Sequence, residues 1–249
     1  MKKIFCFVAF FLTVVFCASA QKELGEYIEI DGVPSFVIHY DEDGIHGVAM
    51  SIFAFGEKGS KNIDKYIKKG IMTDAQGKIF KDNPIGEINS LGMGGKTDKK
   101  MLADLIEYLS NDGKKNQERI EAFCVEKGVS LQEKFPMQYW AKCLGEGWFI
   151  PGDQELTYFA NTYYGGLGRS NSLGSKFLSH AKELCNNELV QEVLTFVVVN
   201  GLYSSSCSDA TCGFKALRWQ FVPLTGKNYM DIFDCFRGKT PMVCAAHKF

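Results

Sequence analysis

Several absences narrow the possibilities first. Six prolines in 249 residues exclude a collagen-like or proline-rich chain. Lysine and arginine total 28 against 29 acids, a formal charge of −1, so the clustered excess base of a nucleic-acid footprint is missing. Beyond residue 20 every apolar stretch is interrupted by charged or polar residues, and none reaches the ~20 residues a membrane-spanning helix needs. There are four histidines, with no Cys-x-x-Cys pair and no His-x-x-x-His set for zinc. The Gly-x-Ser-x-Gly elbow, the His-Glu-x-x-His helix and the EF-hand spacing are also absent. What remains is 46% hydrophobic and 13% aromatic, ample for a packed core in a chain of one or two domains.

The first twenty residues have the layout of a secretory signal peptide. Lys2 and Lys3 form a positive start, Ile4 to Val15 is apolar, and Ala18-Ser19-Ala20 supplies small residues at a cleavage site. Phe16 before Cys17 does not suit lipid attachment. Cleavage after Ala20 removes two lysines and no acid, giving a mature charge of −3 and an exported chain over residues 21–249. The mature chain keeps seven cysteines: Cys124, Cys143, Cys185, Cys207, Cys212, Cys235 and Cys244. Export permits disulfides. Cys207 and Cys212 flank one polar loop, and Cys235 and Cys244 flank another turn, so both pairs are candidate local bridges, although spacing does not fix connectivity.

Tyr27 to Ile30, Asp31-Gly32 and Phe36 to Ile38 predict a β-hairpin, and Asp41 to Gly44 predicts a second turn before a strand at Val48 to Ile52. Residues 56–89 show no sustained period and read as loops and short strands. Met101, Leu102, Leu105, Ile106 and Leu109 recur at helical spacing, with Asn111-Asp112-Gly113 as a stop. Ile120, Phe123 and Cys124 make a second helical stripe closed by Gly128, and Tyr139, Trp140, Cys143 and Leu144 a third closed by Gly145. Trp148-Phe149-Ile150 is a short buried strand ended by Pro151, and a helix carrying Leu156, Phe159 and Ala160 follows. Ser175 to Cys185 reads as helical, and the β-branched Val193 to Val199 as a buried strand. Lys215, Leu217, Trp219 and Phe221 share one face of a further strand, and Met242 to Ala246 forms the last. Strands at both ends with helices between predict an α+β fold whose extremities meet in one antiparallel sheet, with a loop-and-helix insert around residues 57–134.

Four blocks carry a family resemblance: Phe36 to Gly47, Ala141 to Leu156, Tyr203 to Ser206, and Met242 to Phe249. In this order they resemble the bacterial domain at the C-terminus of collagen-like adhesins and its relatives in surface proteins of gut bacteria. The most specific piece is Gly147-Trp148-x-Ile150-Pro151-x-x-x-Glu155-Leu156. The resemblance implies a C-type lectin-like fold, shared with the formylglycine-generating enzymes and with many non-enzymatic binding modules. This chain has Gly152 after the proline where that family has Ser or Thr, and Ala245 and His247 where its closing strand has arginines.

Few constellations suggest chemistry. Asp41, Glu42 and Asp43 could offer oxygens to calcium, but a solvated turn accounts for them, and the lectin-type calcium tripeptide is missing. Gly92 to Thr97 lacks the spacing of a phosphate loop and reads as a flexible connection. Ser204-Ser205-Ser206 reads as a hydroxyl-lined strand end. Tyr158, Tyr163 and Tyr164, with Arg169 beyond a glycine-rich loop, could stack on and grip a sugar; alternatively, Tyr158 and Phe159 are core and the glycines only a connection. The expectation is therefore a secreted or surface-exposed, non-catalytic module binding glycan or extracellular matrix. Its contact residues would be Tyr158, Tyr163, Tyr164 and Arg169, with no metal and no cofactor. The alternatives are an exported cysteine-dependent enzyme of the formylglycine-generating type, which needs a low-pKa thiol, and a structural component of an envelope assembly.

Overall fold

A computed structural model describes residues 24–52, 57–96, 98–168, 170–171, 181–222, 227–233 and 241–249. The proposed signal peptide and Cys235 lie outside these residues, as does most of the segment 175–185.

The fold is α+β, with two antiparallel sheets. The first hairpin joins β1 (Tyr27–Ile30) to β2 (Val33–Tyr40) through Asp31 at φ 52° and Gly32 at φ 79°. Two successive positive φ values are what a two-residue turn needs to match strand twist. A second turn carries β2 into β3 (Gly47–Ser51). There Asp43 Oδ1 accepts from the backbone N–H of Ile45 and His46 (2.8 and 2.9 Å), and its other oxygen bonds the His46 ring. Gly47 is required by close approach: a Cβ there would lie 2.2 Å from the His39 carbonyl oxygen. The sheet is completed by β9 (Ala246–Lys248), which pairs with β3 on one side and β4 (Trp148–Phe149) on the other, in the order β1-β2-β3-β9-β4. The two extremities of the described chain therefore do meet in one sheet; Trp148 and Phe149 are buried within it, and Ile150 is buried just beyond β4.

The second sheet has the order β5-β8-β7-β6, with β5 at Ser170–Asn171, β6 at Leu202–Tyr203, β7 at Ala216–Val222 and β8 at Lys227–Phe233. The segment expected as the last strand is displaced. Met242 makes a parallel bridge to Leu202, and only Ala246 of Met242 to Ala246 belongs to β9. That stretch leads from the second sheet into the first.

Two further readings are corrected. Residues 56–89 hold two helices, α1 (Glu57–Lys68) and α2 (Asp74–Asp82). α2 begins with a reciprocal cap: the Gln76 N–H donates to Thr73 Oγ1 at 3.2 Å, and the Thr73 N–H donates to Gln76 Oε1 at 2.9 Å. The pair packs tightly, since a Cβ on Gly77 would lie 2.4 Å from Ile67 Cδ1. Val193 to Val199 is not a strand but part of a helix, here α8 (Glu188–Asn200). Its buried residues Leu189, Val190, Val193, Leu194 and Val197 follow the helical period, and Val199 faces solvent. The Asn187 side chain caps it by accepting from the N–H of Leu189 at 2.9 Å.

The helices α3 (Lys99–Ile106), α4 (Gly113–Lys127) and α6 (Pro136–Leu144) match the three predicted stripes, and a short helix that the sequence pattern does not announce, α5 (Leu131–Lys134), lies between α4 and α6. Asn111-Asp112-Gly113, however, opens α4 rather than closing α3, because the Asp112 carboxylate accepts from the Lys115 N–H at 3.1 Å. Helix α7 (Asp153–Tyr164) follows Pro151 as expected. One continuous cluster of buried residues runs from Val33 to Ala246 and joins both sheets to the helices.

Candidate functional site

Helix α7 positions the aromatic residues singled out by sequence. Leu156, Phe159, Ala160, Tyr163 and Tyr164 form its buried stripe. Tyr163 and Tyr164 are 0% and 1% exposed, so the structure removes both from any ligand surface. Their hydroxyls donate to the carbonyls of Val37 (3.1 Å) and Leu194 (2.8 Å), and burial pushes both phenols far up. The reason is periodicity: both continue the i, i+3, i+4 series begun at Leu156. Arg169 lies outside the described residues.

Tyr158 sits differently. It is half-buried, and its ring stacks on His39 at the end of β2, with centroids 3.7 Å apart and planes within 6°. Its hydroxyl accepts from Gln154 Nε2 at 2.8 Å, one helical turn earlier. His39 Nε2 lies 3.5 Å from Asp41 Oδ1, and the two side chains are 32% and 60% exposed. The backbone supports this placement, since Thr162 Oγ1 donates to the Ile38 carbonyl at 2.6 Å and ties α7 to β2 beside the stack. A register shift between Val37 and His39 lets Ile38 enter the main core while His39 turns outward. The structure thus joins Tyr158 to His39, Asp41 and Gln154. In the sequence His39 and Asp41 lie at a predicted turn, and Gln154 lies at a predicted helix start far along the chain. The pairing depends on a strand–helix contact that one-dimensional spacing does not reveal.

The serine run is a structural hub. Ser204 Oγ donates to Asp153 Oδ1 (2.7 Å) and accepts from the Ser206 N–H (3.0 Å). Asn116 Nδ2 donates to Ser205 Oγ (3.2 Å), and Ser206 Oγ donates to the Ser110 carbonyl (2.8 Å). Lys215 Nζ lies 2.8 Å from Asp153 Oδ2, with both side chains under one-fifth exposed. Among the described residues no imidazole bonds any of the three hydroxyls.

Glu155 is fully buried. One of its oxygens accepts from the N–H of Gly152 (2.8 Å) and from that of Gly113 (2.9 Å), so a single carboxylate caps α7 and holds the start of α4.

No disulfide joins any two of the described cysteines, so the expected Cys207–Cys212 bridge is not formed; the Cys207 thiol instead donates to the Gly213 carbonyl at 2.9 Å. Burial, helped by the Glu121 charge, pushes the Cys124 thiol up to about 11, and burial also raises Cys185 and Cys244. Among the described residues no group of three or more His, Cys, Asp or Glu side chains is placed to hold a metal ion. None of the described helices is long and apolar enough to cross a membrane. The Gly92 loop is not slack: Asn89 Oδ1 accepts from the N–H of Leu91 and Met93 (2.8 and 3.2 Å), and both side chains are core.

No protein-family model, no curated protein and no solved structure matches the chain.

Proposed function

We propose that this chain is an exported, non-catalytic binding module of the C-type lectin-like kind, which takes a glycan or matrix ligand on the surface around Tyr158. The observation that carries the reading is the Tyr158–His39 stack with its flanking Gln154 and Asp41. An aromatic ring with an apolar face and a polar tip suits the mixed surface of a sugar. Here the ring is fixed from one side by the imidazole and at its hydroxyl by an amide, so little side-chain freedom is lost on binding. Gln154 and Asn161 on the same helix are exposed, adding amide donors and acceptors of the type that sugar hydroxyls use. Several groups that could support catalysis are engaged elsewhere. The serines hold α4, α7 and β6 together, and the buried thiols Cys124, Cys185 and Cys244 are shifted away from thiolate formation.

The test is a glycan and matrix-protein array probed with the folded mature protein, alongside N-terminal sequencing of the protein recovered from its source. The reading expects a mature chain starting near residue 21 and saturable binding to at least one ligand class. Tyr158→Ala, with an unchanged circular dichroism spectrum, should weaken that binding about three- to tenfold, the range an aromatic contact contributes. Binding that Tyr158→Ala leaves intact moves the site elsewhere, and a blank array with a folded probe overturns the binding role.

A further inference from the structure

We infer that buried water is bound between α4 and α6 at the carboxamides of Gln117 and Gln138, two residues joined by a hydrogen bond from Gln117 Nε2 to the Gln138 carbonyl. Gln138 is 0% exposed, and neither its Oε1 nor its Nε2 has a hydrogen-bond partner. Gln117 is 6% exposed. Its Nε2 donates to the Gln138 carbonyl at 3.1 Å and to Glu121 Oε1 at 2.8 Å, while its Oε1 is unmet. Three open polar atoms, two acceptors and one donor, therefore lie on two neighbouring buried residues. Buried carboxamides are almost always bonded, because an unmet amide in an apolar interior is strongly unfavourable.

The chemistry of the open atoms selects the occupant. All three are neutral, so neither a cation nor an anion is matched. The one nearby carboxylate, Glu121, is already held by Lys142 Nζ at 2.6 Å. A small molecule that both donates and accepts, and that needs two to four partners, fits them, and water is that molecule. Lys142 and Glu121, with side chains 57% and 30% exposed, stand at the surface, and Gln117 bonds both Glu121 and the Gln138 carbonyl from within. Cys124, beyond Gln117 on α4, is buried and feels the Glu121 charge.

High-resolution crystallography and oxygen-17 relaxation of the whole mature protein test this, with Gln138→Met as the variant. The expected result is ordered water within hydrogen-bonding distance of the Gln138 and Gln117 carboxamides in the wild type. The same water should be lost, with a fall in the long-lived relaxation component, in Gln138→Met. Dry density in which both carboxamides turn onto protein groups overturns the inference, and so does a relaxation profile that Gln138→Met leaves unchanged. Should Gln138→Met fail to fold, the wild-type density decides alone.

Discussion

At the scale of single residues, Glu155 shows how one side chain can govern two helix starts. Replacing it with alanine leaves the buried N–H groups of Gly113 and Gly152 without an acceptor. Each such group costs about 1–3 kcal/mol, so Glu155→Ala should lower the unfolding free energy by roughly 3 kcal/mol in urea titrations. Glu155→Gln keeps an acceptor oxygen and should lose less. Burial raises the Glu155 pKa, and the N–H groups of Gly113 and Gly152 only partly offset it. A raised folded-state pKa means that the native chain holds this proton more tightly than the unfolded chain does. Its contribution is complete below the ordinary carboxylate range and is lost as pH rises through the folded-state value. Stability measured from about pH 4 to pH 8 should therefore contain a falling component that Glu155→Gln removes. Glu155 was legible in the sequence because Pro151 and the three-residue spacing from Gly152 announce a helix start. The glycines after Tyr163 and Tyr164 suggest a loop surface, whereas continuing the stripe from Leu156 places both in the core. Gln117 and Gln138 gave no signal, since a polar residue on a helix normally marks its solvent face.

Elements were legible where apolar period and punctuation agreed. Asp31-Gly32 with flanking β-branched residues named its hairpin, and Gly128 closed α4 in the left-handed conformation at φ 63°. They were missed where one cue outweighed another. In α8 the run of valines implied a strand, yet the capping Asn187 and the pair Leu189 and Val190 set a helical register that buries Val193, Leu194 and Val197 together. Strand alternation would instead have faced Thr195 inward beside Val193 and Val197. In α2 the signal was the Thr73-x-x-Gln76 cap, hidden among lysines and glycines. A cap of this kind is worth about 1 kcal/mol. Asn187→Ala should lower stability by about that amount, read as a fall in the urea midpoint with unchanged slope. An unchanged midpoint would mean that packing holds the helix without the cap.

At the scale of the whole molecule, β9 is the closing member of the first sheet, bonded on both sides, to β3 and to β4. The Gly47 N–H donates to the Phe249 carbonyl at 3.0 Å and the Phe249 N–H donates to the Gly47 carbonyl at 3.1 Å, continuing the pairing to the last residue. Removing residues 246–249 should therefore abolish the cooperative urea transition and the near-ultraviolet signal of the buried tryptophans, while much helix remains in the far ultraviolet. A truncated chain that still melts in one sharp step would show that the sheet closes without β9. This topology was legible as strands at both extremities, although the exact span of the last one was not, because Met242 to Ala245 first serves the other sheet. The arrangement also sets a timetable for biosynthesis. The β3 edge emerges from the ribosome almost two hundred residues before the segment that covers it, so each nascent molecule carries an open, aggregation-prone flank until β9 has been made. Prematurely terminated products keep that flank for good, which makes them recognisable to chaperones and proteases as unfinished.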